Sequence, residues 1–279
     1  MITFSGKNVV ITGAASGIGR RLSEMFEDAG SRVFALDIDE SGLSTLAKTR
    51  SNRFFPVPCD LSSERSIVEA FQKVSLALQQ SDSPTGNGSS SIDILINNAG
   101  IVYSGQIEDH TSDEIERTFA INVISHFYTL QAVLPEMKRN NSGHIVTIAS
   151  AASFVGTPKL SAYSASKFAL IGLEDSLRGE IKASGKQIRT TLVAPYFVNT
   201  GMFDGVRTRF SWLLPILDQE YVCKRIFKAI QKGKKRLIMP RFVYTVFPLR
   251  LHPVSQFDWL AEFFGITRSM THFKGRPRE

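Results

Sequence analysis

The chain has 279 residues, 43% of them hydrophobic, which is enough for a buried core and free of the composition extremes of disordered or fibrous chains. Its formal charge of +7 is lopsided: residues 201–279 carry 15 Lys and Arg against 6 Asp and Glu, whereas residues 1–200 carry 18 against 20. The basic C-terminal part favours either an anionic partner or a merely solvated surface, no uncharged apolar stretch is long enough to span a membrane, and the start MITFSGKNVVITG lacks the leader of a secreted protein. Cys59 and Cys223 fit no metal or redox spacing and read as two buried thiols in a reducing compartment, so a cytoplasmic protein is expected.

Short apolar runs alternate with amphipathic stretches. The predicted strands are NVVIT (8–12), RVFAL (32–36), RFFPV (53–57), DILIN (93–97), HIVTIA (144–149), IRTTLVA (188–194) and RLIM (236–239). They are rich in β-branched residues and lack polar alternation, as parallel strands covered on both faces do. Helical patterns fill the gaps at 20–30, 64–80, 113–139 and 167–185, the first and last ending in Gly30 and Gly185 as C′ residues. Strand–helix alternation with right-handed crossovers predicts an α/β fold with a doubly wound, parallel, seven-stranded Rossmann-type sheet and helices on both faces. Residues 1–279 are read as a single domain. Within it, SDSPTGNGSSS (81–91) reads as a flexible surface insertion without assigned function.

The first strand runs into TGAASGIG, Thr12 to Gly19. Glycines let the backbone turn tightly and approach a pyrophosphate, and the helix that follows offers unpaired N–H groups to anionic oxygens. Asp37 ends the second strand, where a carboxylate accepts hydrogen bonds from ribose hydroxyls and repels a 2′-phosphate. Ser16, not Arg or Lys, stands before the second glycine of the turn, so both features favour NAD over NADP. Farther on come CDL (59–61), NNAG (97–100), Ser150 after the fifth strand, and YSASK with Tyr163 and Lys167. An i, i+4 spacing puts the phenol and the ammonium on one helix face. A nearby positive charge favours the phenolate and lowers its pKa from about 10 toward working pH.

With all these pieces in order, the sequence resembles the short-chain dehydrogenase/reductases over roughly residues 6–205. The resemblance implies that Tyr163 is the general acid/base, that Ser150 orients the substrate oxygen, and that Lys167 holds the nicotinamide ribose and lowers the Tyr163 pKa. Asn122, in AINV, would anchor a water relay behind Lys167. Gly13, Ser16, Gly17, Ile18 and Gly19 would line the pyrophosphate, Asp37 the ribose, and Asp60 with Leu61 the adenine. Asn98, Ala99 and Gly100 would form the floor, and Pro195, Val198 and Thr200 would complete the cofactor contacts. The implied chemistry is hydride transfer between a carbinol carbon and nicotinamide, without a metal. The five histidines, His110, His126, His144, His252 and His272, show no ligand spacing and read as structural or surface residues.

The loop APYFVNTGMF (194–203) departs from the family pattern, because Tyr196 replaces the usual glycine after Pro195 while Thr200 stays in place. That loop, LLPILDQEYV (213–222), LIMPR (237–241) and FKGR (273–276) resemble the branch of retinol dehydrogenases and lipid-droplet hydroxysteroid dehydrogenases. Tyr196, Phe197, Met202 and Phe203 are the expected substrate-wall residues together with Ser150, core packing being the rival role. Members of that branch begin with a hydrophobic anchor, whereas this chain begins almost at its first strand, so membrane attachment by that route is expected to be absent. Residues 205–279 read as a substrate lid with a basic, aromatic extension suited either to a membrane interface or to covering the pocket. Pro240, Pro248 and Pro253 break any single helix there. The expected function is oxidation or reduction of a lipophilic alcohol or ketone (retinoid, steroid or fatty alcohol) with NAD. An NADPH-dependent 3-keto-lipid reductase, of the ketosphinganine kind, and a catalytically idle lipid-associated scaffold are the competing readings. A homodimer or homotetramer, a peripheral membrane or lipid-droplet contact, and no nucleic-acid partner are expected.

Overall fold

The computed structural model describes residues 2–80, 91–271 and 273. Apolar runs bounded by turn residues form β1 (Asn8–Thr12), β2 (Arg32–Asp37), β3 (Phe54–Pro58), β4 (Ile94–Asn97), β5 (Gly143–Ile148), β6 (Ile188–Pro195) and β7 (Arg236–Met239). All pair in parallel, in the order β3-β2-β1-β4-β5-β6-β7. Such a sheet must be covered on both faces, and β1 shows how its residues are shared between them. Val9 and Ile11 join a core with Leu22 and Phe26 of α1 (Gly17–Asp28) and Ile226 and Ile230 of α7 (Gln219–Gln231). Val10 points the other way, into a core with Val74 of α3 (Glu64–Gln79), Val133 of α5 (Ser125–Arg139) and Ile181 of α6 (Ser161–Ala183). Phe26 is fully buried with ring neighbours Phe4 and Phe227 at 4.8 and 5.0 Å, so truncating it to Ala would cost about 3–5 kcal/mol.

Side-chain caps fix the helix starts. Asp39 accepts from the Gly42 amide at α2 (Glu40–Ala47), Ser63 from Ser66 at α3, and Asp218 from Tyr221 at α7. Thr111 and Glu114 form a capping box at α4 (Ser112–Phe119). Gly30 and Gly185 follow the last residues of α1 and α6 with φ of +88° and +67°, as C′ residues in the left-handed region.

The helices depart from the sequence reading, which has no helix over Val246–Leu249 or Val254–Phe263. It contains neither α2 nor α7, although Asp218 followed by buried Val222, Cys223, Ile226, Ala229 and Ile230 carries a legible helical signal. α2 is eight residues long with Ser, Gly and Thr inside, too short and too polar to stand out. The long pattern predicted over 113–139 is split, with a π-helical segment, Ala120–Ile124, joining α4 to α5 and carrying Asn122. Of the segment 81–91, residues 81–90 lie outside the described residues, while Ser91 is buried and its carbonyl accepts from Asn8 Nδ2 at 2.8 Å.

Strand order reverses between β1 and β4, which opens a crevice beyond their carboxyl ends. After β7 the chain crosses the same end of the sheet. The 3-10 turn Arg241–Thr245 leads into α8 (Val246–Leu249) and α9 (Val254–Phe263), with Pro253 at the start of α9. Phe242, Val243 and Phe264 pack there on Phe154, Leu170, Ala194 and Ile238.

Candidate active site

The glycine turn is held from three sides. Gly13 and Gly17 have φ of +66° and +54°, and a Cβ on Gly13 would lie 2.9 Å from the Ala99 Cα. A Cβ on Gly17 would touch Thr200 at 3.5 Å. Asn98 ties the crevice shut at its base: its amide donates to Thr12 Oγ1 at 3.0 Å, and its Nδ2 donates to the Thr12 and Gly13 carbonyls at 2.9 and 3.2 Å. Asp37 is fixed by two backbone amides, Ala15 to Oδ2 at 2.9 Å and Asp39 to Oδ1 at 3.1 Å. Asp60 Oδ1 accepts from the amide and hydroxyl of Ser62 at 2.8 and 2.7 Å.

Above this base lies a cleft of about 1270 Å³. Of the residues predicted for the cofactor, Gly13, Ser16, Gly17, Ile18, Asp37 and Asp60 line it near the turn. So do Leu61, Asn98, Ala99 and Gly100 on the floor, and Pro195, Val198 and Thr200 on the far wall. Gly19 does not line it. A side chain there would collide with the Gly13 carbonyl oxygen and Asn98 Nδ2, so its role is to let α1 pack against the turn. The sequence reading also missed Arg117 of α4, which together with Lys167 supplies the cations among the lining residues. Ile121, one helical turn on, lines the cleft as well, and Arg117 belongs to no motif that marks it in the sequence.

Ser150 follows β5 and its Oγ accepts from the Ala152 amide at 3.1 Å. The first two turns of α6 carry Tyr163 and Lys167, only 5% and 3% exposed, with Lys167 Nζ 5.7 Å from the phenol ring centre. Lys167 Nζ donates to the Ile148 carbonyl at 3.2 Å. Burial pushes the Tyr163 phenol up to about 12, with hydrogen bonding to Ser150 pulling it partly back, and burial pulls the Lys167 ammonium down to about 8. In the protein alone, desolvation therefore outweighs the phenolate stabilisation that the Tyr–Lys spacing suggests.

Asn122 is fully buried and does not line the cleft. Its Oδ1 accepts from the Ile101 amide at 2.8 Å, and its Nδ2 donates to the Ile101 carbonyl and Ser166 Oγ, each at 3.0 Å. A Cβ on Gly100 would lie 3.3 Å from both Asn122 Oδ1 and Lys167 Nζ, so the three residues converge. Behind them His126 is buried and pushed down to about 3 by burial and by the Lys167 charge; His144, also buried, is held at about 4. These two histidines are interior rather than surface residues. Among the described residues no group of three or more His, Cys, Asp or Glu side chains is placed to hold a metal.

A second, apolar cavity is bordered by the same two residues, Ser150 and Tyr163. Tyr196, Phe197 and Phe203 form one wall, their rings linked at 4.6 and 5.1 Å, with Phe203 edge-on to Tyr163 at 5.7 Å. The opposite wall is one face of α9, Phe257, Leu260 and Ala261, continued by Phe264. Met202 lines the polar cleft and not this cavity, whereas its neighbour Phe203 borders both. Of the extension's aromatics Phe242 lines the cavity, whereas Trp259 and Phe263 point outward. Ser150, Tyr163, Tyr196 and Phe203 border both spaces.

A family model described as short chain dehydrogenase matches residues 7–210. Short-chain dehydrogenase/reductase family 16C member 6 of Bos taurus is 38% identical over 98% of this chain and 85% of its own length. Epidermal retinol dehydrogenase 2 of Mus musculus is 34% identical, covering 99% of this chain and 87% of the relative. Estradiol 17-beta-dehydrogenase 11 of Rattus norvegicus is 35% identical over 85% and 76%, respectively. Among solved structures, a short chain dehydrogenase/reductase from Burkholderia phymatum in complex with NAD superimposes with a TM-score of 0.77. It is 25% identical to this chain, covering 91% of it and 96% of that protein.

Proposed function

This chain belongs to the short-chain dehydrogenase family, as an oxidoreductase of its retinol and hydroxysteroid dehydrogenase branch, and we propose that it exchanges a hydride between NAD and a lipophilic alcohol or ketone. Retinoids, steroids and fatty alcohols are the substrate class. The observation that carries this reading is the pair of abutting spaces, one polar and one apolar, that share Ser150 and Tyr163 at their border. A dinucleotide fits the polar one: Gly13, Ser16, Gly17 and Ile18 bring the glycine turn and the N-terminal end of α1 to the space, and Asp37 suits ribose hydroxyls. When bound, nicotinamide supplies the hydride-exchanging carbon.

The chain's own residues handle position and the proton. Ser150 Oγ holds the substrate oxygen beside Tyr163 Oη. A buried neutral phenol is ready to protonate a ketone oxygen, whereas alcohol oxidation needs the phenolate, which Lys167 and Ser150 favour. Asn122 acts as a positioning residue, fixing Ile101 and Ser166 around Lys167 rather than touching substrate. Tyr196, Phe197 and Phe203 exclude water from the reacting centre, and Met202 contributes to the cofactor wall. Exposed Ile115, Ile124 and Phe127 on the α4–α5 stretch support pairing of two copies.

The screen that tests this reading measures NADH production across retinoids, steroids and long-chain alcohols, for wild type and Tyr163→Phe. Turnover by wild type alone is expected, and no turnover of any of them by either protein refutes it. Arg117 at the cleft favours a second reading, an NADPH-dependent keto-lipid reductase. Dissociation constants of NAD and NADP for wild type, Asp37→Ala and Arg117→Ala decide between the two. NAD preference that Asp37→Ala relaxes supports the first; NADP preference that Arg117→Ala abolishes supports the second.

A further inference from the structure

Helix α9 carries aromatic side chains on two sides. Phe257, Leu260 and Ala261 face the cavity, yet Trp259 is 63% exposed and Phe263 42% exposed on the outside. The outer side also carries exposed Ser255, Gln256, Asp258 and Glu262, so Trp259 and Phe263 stand among polar groups, as amphipathic aromatic side chains do at a membrane–water interface. Trp259 stacks on Phe263 at 5.7 Å, Phe263 meets Phe264 at 5.3 Å, and Phe264 meets Phe242 at 5.2 Å. Rings therefore run without a break from the solvent-exposed indole to the cavity wall.

The outer aromatics do not stand alone. Trp259 and Phe263 share a surface groove with Arg207, Arg209 and Arg268, three cations against the one carboxylate of Glu262. The Arg209 guanidinium lies 5.3 Å from the Phe263 ring centre and donates to the Phe263 carbonyl at 3.0 Å, which braces the groove. Arg207 has no side-chain partner among the described residues, and Arg268 has only the exposed Glu262 at 3.4 Å. Indole rings beside arginines are the composition of an interface-lying surface, where the ring enters the headgroup region and the cations meet lipid phosphates. A second copy of the chain fits less well, since a two-fold contact would set Arg207, Arg209 and Arg268 against their own counterparts. Among the described residues no helix is long and apolar enough to cross a membrane, so this contact would lie along the surface.

We propose that the outer face of α9, with Trp259, Phe263, Arg207, Arg209 and Arg268, docks on an anionic phospholipid surface, and that the helix then separates the bilayer from the substrate cavity. That this cavity takes the substrate rests on the lipophilic-substrate reading above; the docking face does not.

Co-sedimentation of the full chain with phosphatidylcholine vesicles, with and without phosphatidylserine, tests the docking face in the absence of any substrate. Wild type is expected to bind the anionic vesicles and to show a blue-shifted tryptophan emission on doing so. At about 1 kcal/mol per arginine, Arg207→Ala combined with Arg268→Ala should weaken binding roughly thirtyfold, with a shallower salt dependence. Trp259→Ala should lose most of the emission shift and weaken binding. Unchanged thermal unfolding of these surface variants shows that they fold. Wild type that binds neither vesicle type overturns the proposal. So does vesicle binding that both variants leave intact, or a Trp259→Ala change that dissociates a dimer without altering vesicle binding. Vesicle binding without turnover of any alcohol sustains the docking face and refutes the substrate class; turnover without vesicle binding does the reverse.

Discussion

Ala261 on the inner face of α9 gives the sharpest test of the apolar cavity. It lines the apolar space together with Phe257 and Leu260 of the same helix. Each methylene that a substrate buries contributes about 0.8 kcal/mol, so kcat/KM of wild type should rise about fourfold per methylene along a series of straight-chain alcohols. The rise should stop where the chain outgrows the cavity. Ala261→Phe places a ring in that space, and if it displaces about three methylenes the longest alcohols lose about 2.4 kcal/mol, or roughly sixtyfold in kcat/KM. Short alcohols, bound wholly between Ser150, Tyr163 and Phe203, should stay within about twofold of wild type. The assay is initial-rate NADH formation across the series for both proteins, with thermal unfolding run alongside to exclude overpacking. A uniform loss on short and long alcohols, or identical profiles, would show that α9 is not a wall of the substrate site.

Tyr163→Phe should lower kcat by about 10²–10⁴-fold while the NAD dissociation constant changes little, as read by rates and by nucleotide fluorescence quenching. Gly19→Ala should destabilise the protein by about 1–3 kcal/mol and weaken NAD binding, because the added methyl meets the Gly13 carbonyl oxygen; a fully bound, fully stable variant contradicts that packing. Arg250 donates to the Phe154 carbonyl at 2.7 Å and lies over Phe168 and Phe257 at 5.1 and 5.3 Å, clamping the extension beside the Ser150 turn. Arg250→Ala should cost about 1 kcal/mol of stability and raise KM for long alcohols more than for short ones, in unfolding and rate measurements. Burial lowers the Lys167 pKa from 10.5 to about 8, so the unfolded chain binds more protons between those values. The site's destabilisation is complete below about pH 8 and fades as pH rises toward 10.5. Lys167→Met should therefore stabilise the cofactor-free protein by on the order of 3 kcal/mol near neutral pH and by much less near pH 10, and urea unfolding that shows a pH-independent gain refutes this.

Much of this protein was legible along the chain because the relevant neighbours are close in sequence. The β-branched runs at 8–12, 32–36 and 188–194 sit in a parallel sheet because only two-sided burial stabilises such runs. The glycine turn after β1 and the Tyr163–Lys167 spacing are local geometries that the residues themselves dictate. Tertiary structure decided what depends on segments far apart in sequence. It brings residues 196–203 against 257–264 to make the cavity, packs Gly19 on Gly13 instead of exposing it, and turns Arg117 into the cleft. It also sorts the side chains of APYFVNTGMF, sending Phe197 to the apolar space and Met202 to the polar one while Phe203 borders both. That loop has no 2-residue or 3.6-residue repeat for a sequence pattern to follow, so the directions of its side chains are set by the packing of β6, α6 and the C-terminal extension around it.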